Sequence, residues 1–342
     1  MKRTTKIWLT VAISLFLIGC TVVVTALSLS DWRLSALSTD HFVTNTHKLN
    51  NEFDAITVIT NTASVLLVPV DGKECTVDCY ELENELHSVT VKDGALVIEV
   101  LDTRKWYHHI GIGFTSPKIT VSVPRGAYGA LSVRSDTGDV QIPRELTFSS
   151  IEVLNSTGDI TARASASDRI KIKTDTGNVF VENVSTGALE LAVTTGNVTV
   201  SSVNCVGAVS LRASTGKTSL TDLKCDSIVS GGSTGEITLT RVSVNARLSI
   251  ERSTGDVHLD NCVANEISID TDTGDVRLSL SDAATIRIQT DTGDVTGSLL
   301  TEKIFVTETD TGRVSVPTST SGGKCEITTD TGDIRLTIAN QE

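Results

Sequence analysis

The residues best suited to chemistry are carboxylates. Asp-Thr-Gly occurs at residues 136–138, 175–177, 272–274, 291–293, 310–312 and 330–332. Two such carboxylates facing one another and sharing a proton could perform acid–base hydrolysis. Six phased copies do not supply that geometry, because a repeat sets them side by side rather than opposed. The triplet therefore reads as a structural turn, and no catalytic residue is expected. The same acids suggest a second chemistry. Asp272, Asp275, Asp291, Asp294, Asp310, Asp330 and Asp333 would form columns along one corner of a repeat, and oxygen ligands suit a hard divalent cation. Calcium β-rolls, however, use a shorter glycine-rich nonapeptide that is absent from this sequence. Turn capping is the expected role, with weak divalent binding as the alternative. No cofactor is expected.

Other candidates are fewer. His108 and His109 stand beside Trp106 and Tyr107, but Asp102 is the only acid at ligand spacing, so the segment reads as an ordinary loop. Of six cysteines beyond the apolar segment, Cys75 and Cys79 share one face of a strand, too far apart to bond. Cys205 and Cys225 occupy equivalent places in adjacent repeats, which leaves a disulfide between them open. Cys325 takes an aliphatic position and reads as a small buried hydrophobe.

What positions these groups is a repeat. Thr-Gly recurs with its Gly at 138, 158, 177, 196, 216, 235, 255, 274, 293, 312 and 332, always 19 or 20 residues apart. Numbered from that Gly, position −7 is apolar in all eleven copies, from Leu131 to Cys325. Position −5 is aliphatic except at Ser230 and Thr307, and +2 except at Thr218. Position +4 is a large aliphatic except at Ala162 and Gly297. Polar residues alternate between, so each unit is strand, turn, strand with one face inward. One such unit cannot bury its apolar face alone, and stacking consecutive units gives a continuous core. The expected fold is an all-β parallel β-solenoid (β-helix) of about 11–12 coils of 19–20 residues. In sequence-order stacking, Asp272, Asp291, Asp310 and Asp330 would follow one another ~5 Å apart.

The rest of the chain divides around this repeat: 1–6 a cytoplasmic tail, 7–29 a transmembrane helix, 30–50 a linker, 51–130 a degenerate first coil plus a β-hairpin cap, and 131–338 the solenoid. In the degenerate coil, Ala63 replaces the corner Gly. The hairpin turns at Asp93-Gly94. The 23-residue run Ile7–Leu29 has no charge, and Trp8 and Trp32 flank it. Lys2, Arg3 and Lys6 precede it, which predicts a single-pass cell-membrane protein, N-terminus cytoplasmic and C-terminal domain extracytoplasmic. Leu17-Ile18-Gly19-Cys20 resembles a lipobox, so lipidation at Cys20 is one alternative and signal-peptide cleavage another. The net charge of −13 disfavours nucleic acid as a partner.

The Ser/Asp-Thr-Gly-Asp-Val repeats (Asp136 to Val140, Ser156 to Ile160, Asp272 to Val276, Asp330 to Ile334), with Ser116-Pro117-Lys118-Ile119-Thr120-Val121, resemble the bacterial putative-adhesin family. That family is a β-strand-repeat domain of unknown function, and the resemblance covers roughly residues 50–338. It implies a surface β-solenoid and offers no catalytic residues. Lys217 and Arg313 after the Gly depart from its acidic norm. The expected function is binding, adhesion or display at the cell surface, and not catalysis. The alternatives are an envelope scaffold or regulator docking a membrane partner and, less favoured, a polysaccharide-active enzyme. The expected partners are the membrane, through the N-terminal helix, and an unidentified surface ligand or protein.

Overall fold

The computed structural model describes residues 3–29, 32, 41–50, 52–102 and 116–339. Trp106, Tyr107, His108 and His109 lie outside the described residues. The N-terminal segment is one α-helix, Arg3–Leu29, of which Thr5–Leu29 is long and apolar enough to cross a membrane. Thr10, Thr21 and Thr25 donate their hydroxyls to the carbonyls four residues earlier, so the polar side chains are satisfied within the helix.

From residue 55 onward the chain coils as a parallel β-solenoid, and each coil is named by its corner residue. Adjacent coils pair with the Thr-Gly corners in phase. The −7 row runs Leu131, Ile151, Ile170, Leu189, Val209, Ile228, Leu248, Ile267, Ile286 in unbroken register. Every one of these side chains is at most 1% exposed. Ala63 occupies a corner as expected, since Ile56 and Val58 pair with Leu131 and Val133. A third inward run appears that the strand–turn–strand reading lacked. Val203 and Cys205, Leu223 and Cys225, and Val242 and Val244 are buried seven and nine residues past the Gly. Between the second and third runs the backbone turns at non-glycine residues with φ of 46–55°: Asn183, Ser202, Asp222, Arg241, Asn261 and Leu280.

Both ends depart from sequence order. At the C-terminal end, Gly323–Thr331 pairs on one side with Val276–Thr292 and on the other with Lys303–Thr311. The order is therefore Gly274, Gly293, Gly332, Gly312, and the acid row runs Asp272, Asp291, Asp330, Asp310. At the other end, Ala55–Thr60 lies between Ala95–Asp102 and Gly126–Thr137, and Ser64–Val70 pairs with both Lys118–Pro124 and Val140–Ile142. At each end the outermost coil is formed by a more internal stretch of sequence.

Antiparallel strands cover the N-terminal end. Glu85–Lys92 pairs with Ala95–Asp102 as the expected hairpin, Lys92 opposite Ala95, with Asp93 and Gly94 at φ 50° and 75°. Cys75–Leu82 pairs with Lys118–Pro124, and Phe42–Leu49 then pairs with Cys75–Leu82. The strand Phe42–Leu49 falls where a linker over 30–50 was expected. Its inward row includes Asn45 and His47, so it carries no clean apolar alternation.

The corner has one steric rule. Ten of the eleven repeat glycines have φ between 132° and 158°. A Cβ on Gly255 would stand 2.3 Å from the Gly235 carbonyl oxygen, and backbone cannot move aside cheaply. Gly255→Ala is expected to cost more than about 3 kcal/mol. Gly231→Ala, where a Cβ meets nothing within 4 Å, should cost little, and paired denaturant titrations measure the difference.

Candidate functional surface

The Thr-Gly-Asp corner is a ladder of side-chain oxygens. Where Asp or Asn follows the Gly, its side-chain oxygen accepts the backbone N–H of the equivalent residue one coil on. Asp139 Oδ1 accepts from Asp159 N at 2.9 Å, Asp159 from Asn178 at 2.7 Å, Asn178 from Asn197 at 3.0 Å, and Asn197 from Lys217 at 2.9 Å. Lys217 offers no oxygen and the ladder breaks there; its Nζ pairs with Glu236 instead. The ladder resumes from Asp256 to Asp275, Asp294, Asp333 and finally Arg313, each bond 2.8–2.9 Å. On the inner side, Asn155, Thr290, Thr329 and Thr309, three residues before the Gly, donate to corner-glycine carbonyls. The corner is thus satisfied from both sides by side chains.

Of the acids singled out in the sequence, Asp275, Asp294 and Asp333 belong to this ladder. Asp272, Asp291, Asp330 and Asp310 stand exposed two residues before the Gly and make no hydrogen bond. Turn capping thus falls to the residue after the Gly. The exposed row repels itself but is screened by water and salt. Because the corner amides already have acceptors, no ion is needed to hold the turns. Chelator is expected to leave the β-structure intact, and millimolar calcium to raise the melting temperature only slightly. Loss of β-structure in chelator, read by circular dichroism, would contradict this.

Arg313 holds the Asp333 carboxyl below the usual range, first by its backbone N–H and then by its guanidinium. Arg241 does the same to Asp222 through paired contacts of 2.6 and 2.8 Å. A depressed folded-state pKa contributes stability above the unfolded value that is lost as pH falls through the folded one, so these pairs weaken only in acid.

Three exceptions to the repeat form one feature. Arg252 is 2% exposed, and its Nη2 donates to Ser230 Oγ at 3.0 Å and Thr218 Oγ1 at 3.4 Å, with Nη1 on the Ala213 carbonyl at 3.3 Å. A Cβ on Gly232 would fall 1.5 Å from Nη1. Ser230 and Thr218 therefore break two apolar rows, and Gly232 leaves out a side chain, to lodge one buried guanidinium, whose pKa burial lowers.

The C-terminal end presents a different surface. Among the described residues, Lys303–Thr311 pairs on one edge only, and Ile304, Val306 and Val314 are 44–51% exposed. The corresponding outward positions in the next coil are Lys324 and Glu326. Elsewhere, Ala127, Tyr128, Phe148, Ser165 and Thr186 line a groove of about 510 Å³ that contains no carboxylate. The cysteines outside the helix are all free and buried. Burial pushes the Cys225 thiol up to about 12.

These features define a parallel β-solenoid with an N-terminal apolar helix. The chain belongs to the Toastrack DUF4097 family, whose sequence model matches residues 53–217, 192–295 and 219–342. No curated protein matches it. Solved structures similar to it include a putative adhesin from Bacteroides fragilis, 17% identical over 87% of this chain and 97% of that one, with a TM-score of 0.27. A putative adhesin from Parabacteroides distasonis is 14% identical over 87% and 98%, with a TM-score of 0.40. One from Parabacteroides merdae is 13% identical over 77% and 98%, with a TM-score of 0.41.

Proposed function

We propose that the protein is a non-enzymatic, membrane-anchored binding module of the cell surface, which makes contact through the C-terminal end of its solenoid. The observation that carries this reading is the asymmetry of the two ends. Antiparallel strands cover the end that the chain enters from the helix. At the other, among the described residues, Lys303–Thr311 leaves one edge of backbone donors and acceptors unpaired, beside outward Ile304 and Val306 and the inward-row Val314 that no further coil covers. An unpaired edge flanked by apolar side chains is a template for a partner strand or an apolar surface. The uncharged run Ile7–Leu29 and the cations before it support display outside the membrane.

Two experiments test it. External protease on intact protoplasts should remove a C-terminal tag, and a protected tag overturns the orientation. Cells displaying the chain with Ile304→Glu and Val306→Glu should lose most of the ligand capture or adherence shown by the parent, at unchanged thermal stability. Equal capture by both would move the contact surface elsewhere, and crosslinks confined to a neighbouring membrane protein would favour a scaffold.

A further inference from the structure

The covered end of the solenoid contains a cluster that the repeat does not account for. Cys79 and Glu81 are two residues apart on Cys75–Leu82 and so share its inward face; Glu83 and Asn84 then form a tight turn, with Leu82 opposite Glu85. The return strand brings in His87. All three side chains are buried, at 0%, 1% and 6% exposure, and their ligand atoms lie within 4.8 Å of one another. We propose that Cys79, Glu81 and His87 form a binding site for a divalent transition metal of the zinc class.

The chemistry of the donor set favours this. One thiolate, one imidazole and one carboxylate match the borderline-soft preference of zinc, whereas a hard ion such as calcium would need several more oxygens. The surroundings are those of a supported site. Glu81 is oriented by the Asn45 amide on Oε1 and by the His87 backbone N–H on Oε2, each at 2.7 Å. His87 Nδ1 stands 2.7 Å from Glu81 Oε2, and its Nε2 stands 2.9 Å from Thr60 Oγ1. With a metal on Nδ1, Nε2 keeps its proton and Thr60 accepts it, a common outer-shell arrangement for a ligating histidine. His87 Nδ1 and Glu81 Oε2 must part slightly, because donors about 2 Å from a tetrahedral ion stand about 3.3 Å apart. A second buried nitrogen lies nearby in the fold. His47 is on the same face of Phe42–Leu49 as Asn45, and its Nε2 has no hydrogen-bond partner. Such an unpaired polar atom costs free energy that a ligand would relieve.

Zinc binds thiolate rather than thiol, so binding releases a proton from the cysteine. Affinity should rise with pH.

The test uses the full chain in detergent, stripped with chelator and titrated with cobalt(II). The expected result is uptake of one equivalent, with a thiolate-to-cobalt charge-transfer band and the visible bands of a tetrahedral ion, both displaced by zinc. Cys79→Ser should abolish the charge-transfer band, while Cys325→Ser should retain it. His87→Gln should weaken zinc binding by more than about a hundredfold, beyond what loss of an outer-shell partner produces. If the parent chain shows no charge-transfer band, or if the band survives Cys79→Ser, the site does not exist. The parent titration decides this even if a variant fails to fold.

Discussion

A chain ending at Gly322 is expected to lose two coils, although it lacks the sequence of only one. The strand Lys303–Thr311 pairs with Gly323–Thr331 and with no other lateral strand, and Val314–Ser315 pairs only with Ile334–Ile338. Removing the C-terminal segment thus takes a layer from between two others. Cys325, Ile327, Ile334 and Leu336, all at most 2% exposed, are lost at once. At ~1.5–3 kcal/mol for each fully buried aliphatic side chain, the three aliphatic residues alone account for a direct loss of ~4.5–9 kcal/mol. Ile286, Ile288, Val295 and Leu299, now at most 1% exposed, become a bare end face. Hydrogen exchange should show amides 303–311 fully unprotected in the truncated chain while the coils before Gly274 stay slow. Retained protection at 303–311 would mean that the Gly312 coil reseats directly on the Gly293 coil.

The second large effect concerns one side chain. Ile269 is 1% exposed and lies between Ile250 and Ile288 in the −5 row. Its neighbour Asp270 points outward beside Gln289. Ile269→Asp puts a carboxylate among aliphatic carbons with no cation in the row to meet it, and should cost more than ~3 kcal/mol. Asp270→Lys changes a solvated surface charge and should leave the unfolding midpoint nearly unchanged. Comparable losses in the two variants would mean that the inward and outward faces are exchanged.

The lateral register of the solenoid was legible because it rests on a two-residue period that Leu131, Ile151 and Ile170 repeat without interruption. The corner was legible because only glycine escapes the carbonyl of the coil beneath. The order of coils at the two ends was not, and the reason is physical. A repeat makes every apolar face fit every other, so Phe305 could stack on Ile286 as readily as Cys325 does. Periodicity therefore states what contacts what kind of residue, and connection lengths and end contacts decide which copy supplies it. The second corner was also hidden, because Asn183, Ser202, Asp222, Arg241, Asn261 and Leu280 share a backbone angle and no side-chain chemistry. The Cys79, Glu81 and His87 cluster crosses a hairpin, so no single strand period joins His87 to the other two. The departures at Ser230 and Thr218 were visible individually, but only the position of Arg252 joins them.

The exchanged order at both ends bears on how the molecule bears load. A solenoid stacked in sequence order can be unzipped: tension on a terminus detaches the outermost coil, breaking one ladder a few bonds at a time. Here, tension applied through either terminus reaches a coil that is clamped between two others. Drawing out Ala55–Val70 requires shearing it past Ala95–Asp102 and Lys118–Pro124 on one side and Gly126–Thr137 and Val140–Ile142 on the other, so the bonds of two ladders resist together. The same holds for Gly323–Ile338 at the far end. Load that reaches the solenoid along the chain from either terminus therefore meets parallel rupture of two ladders rather than the peeling of one.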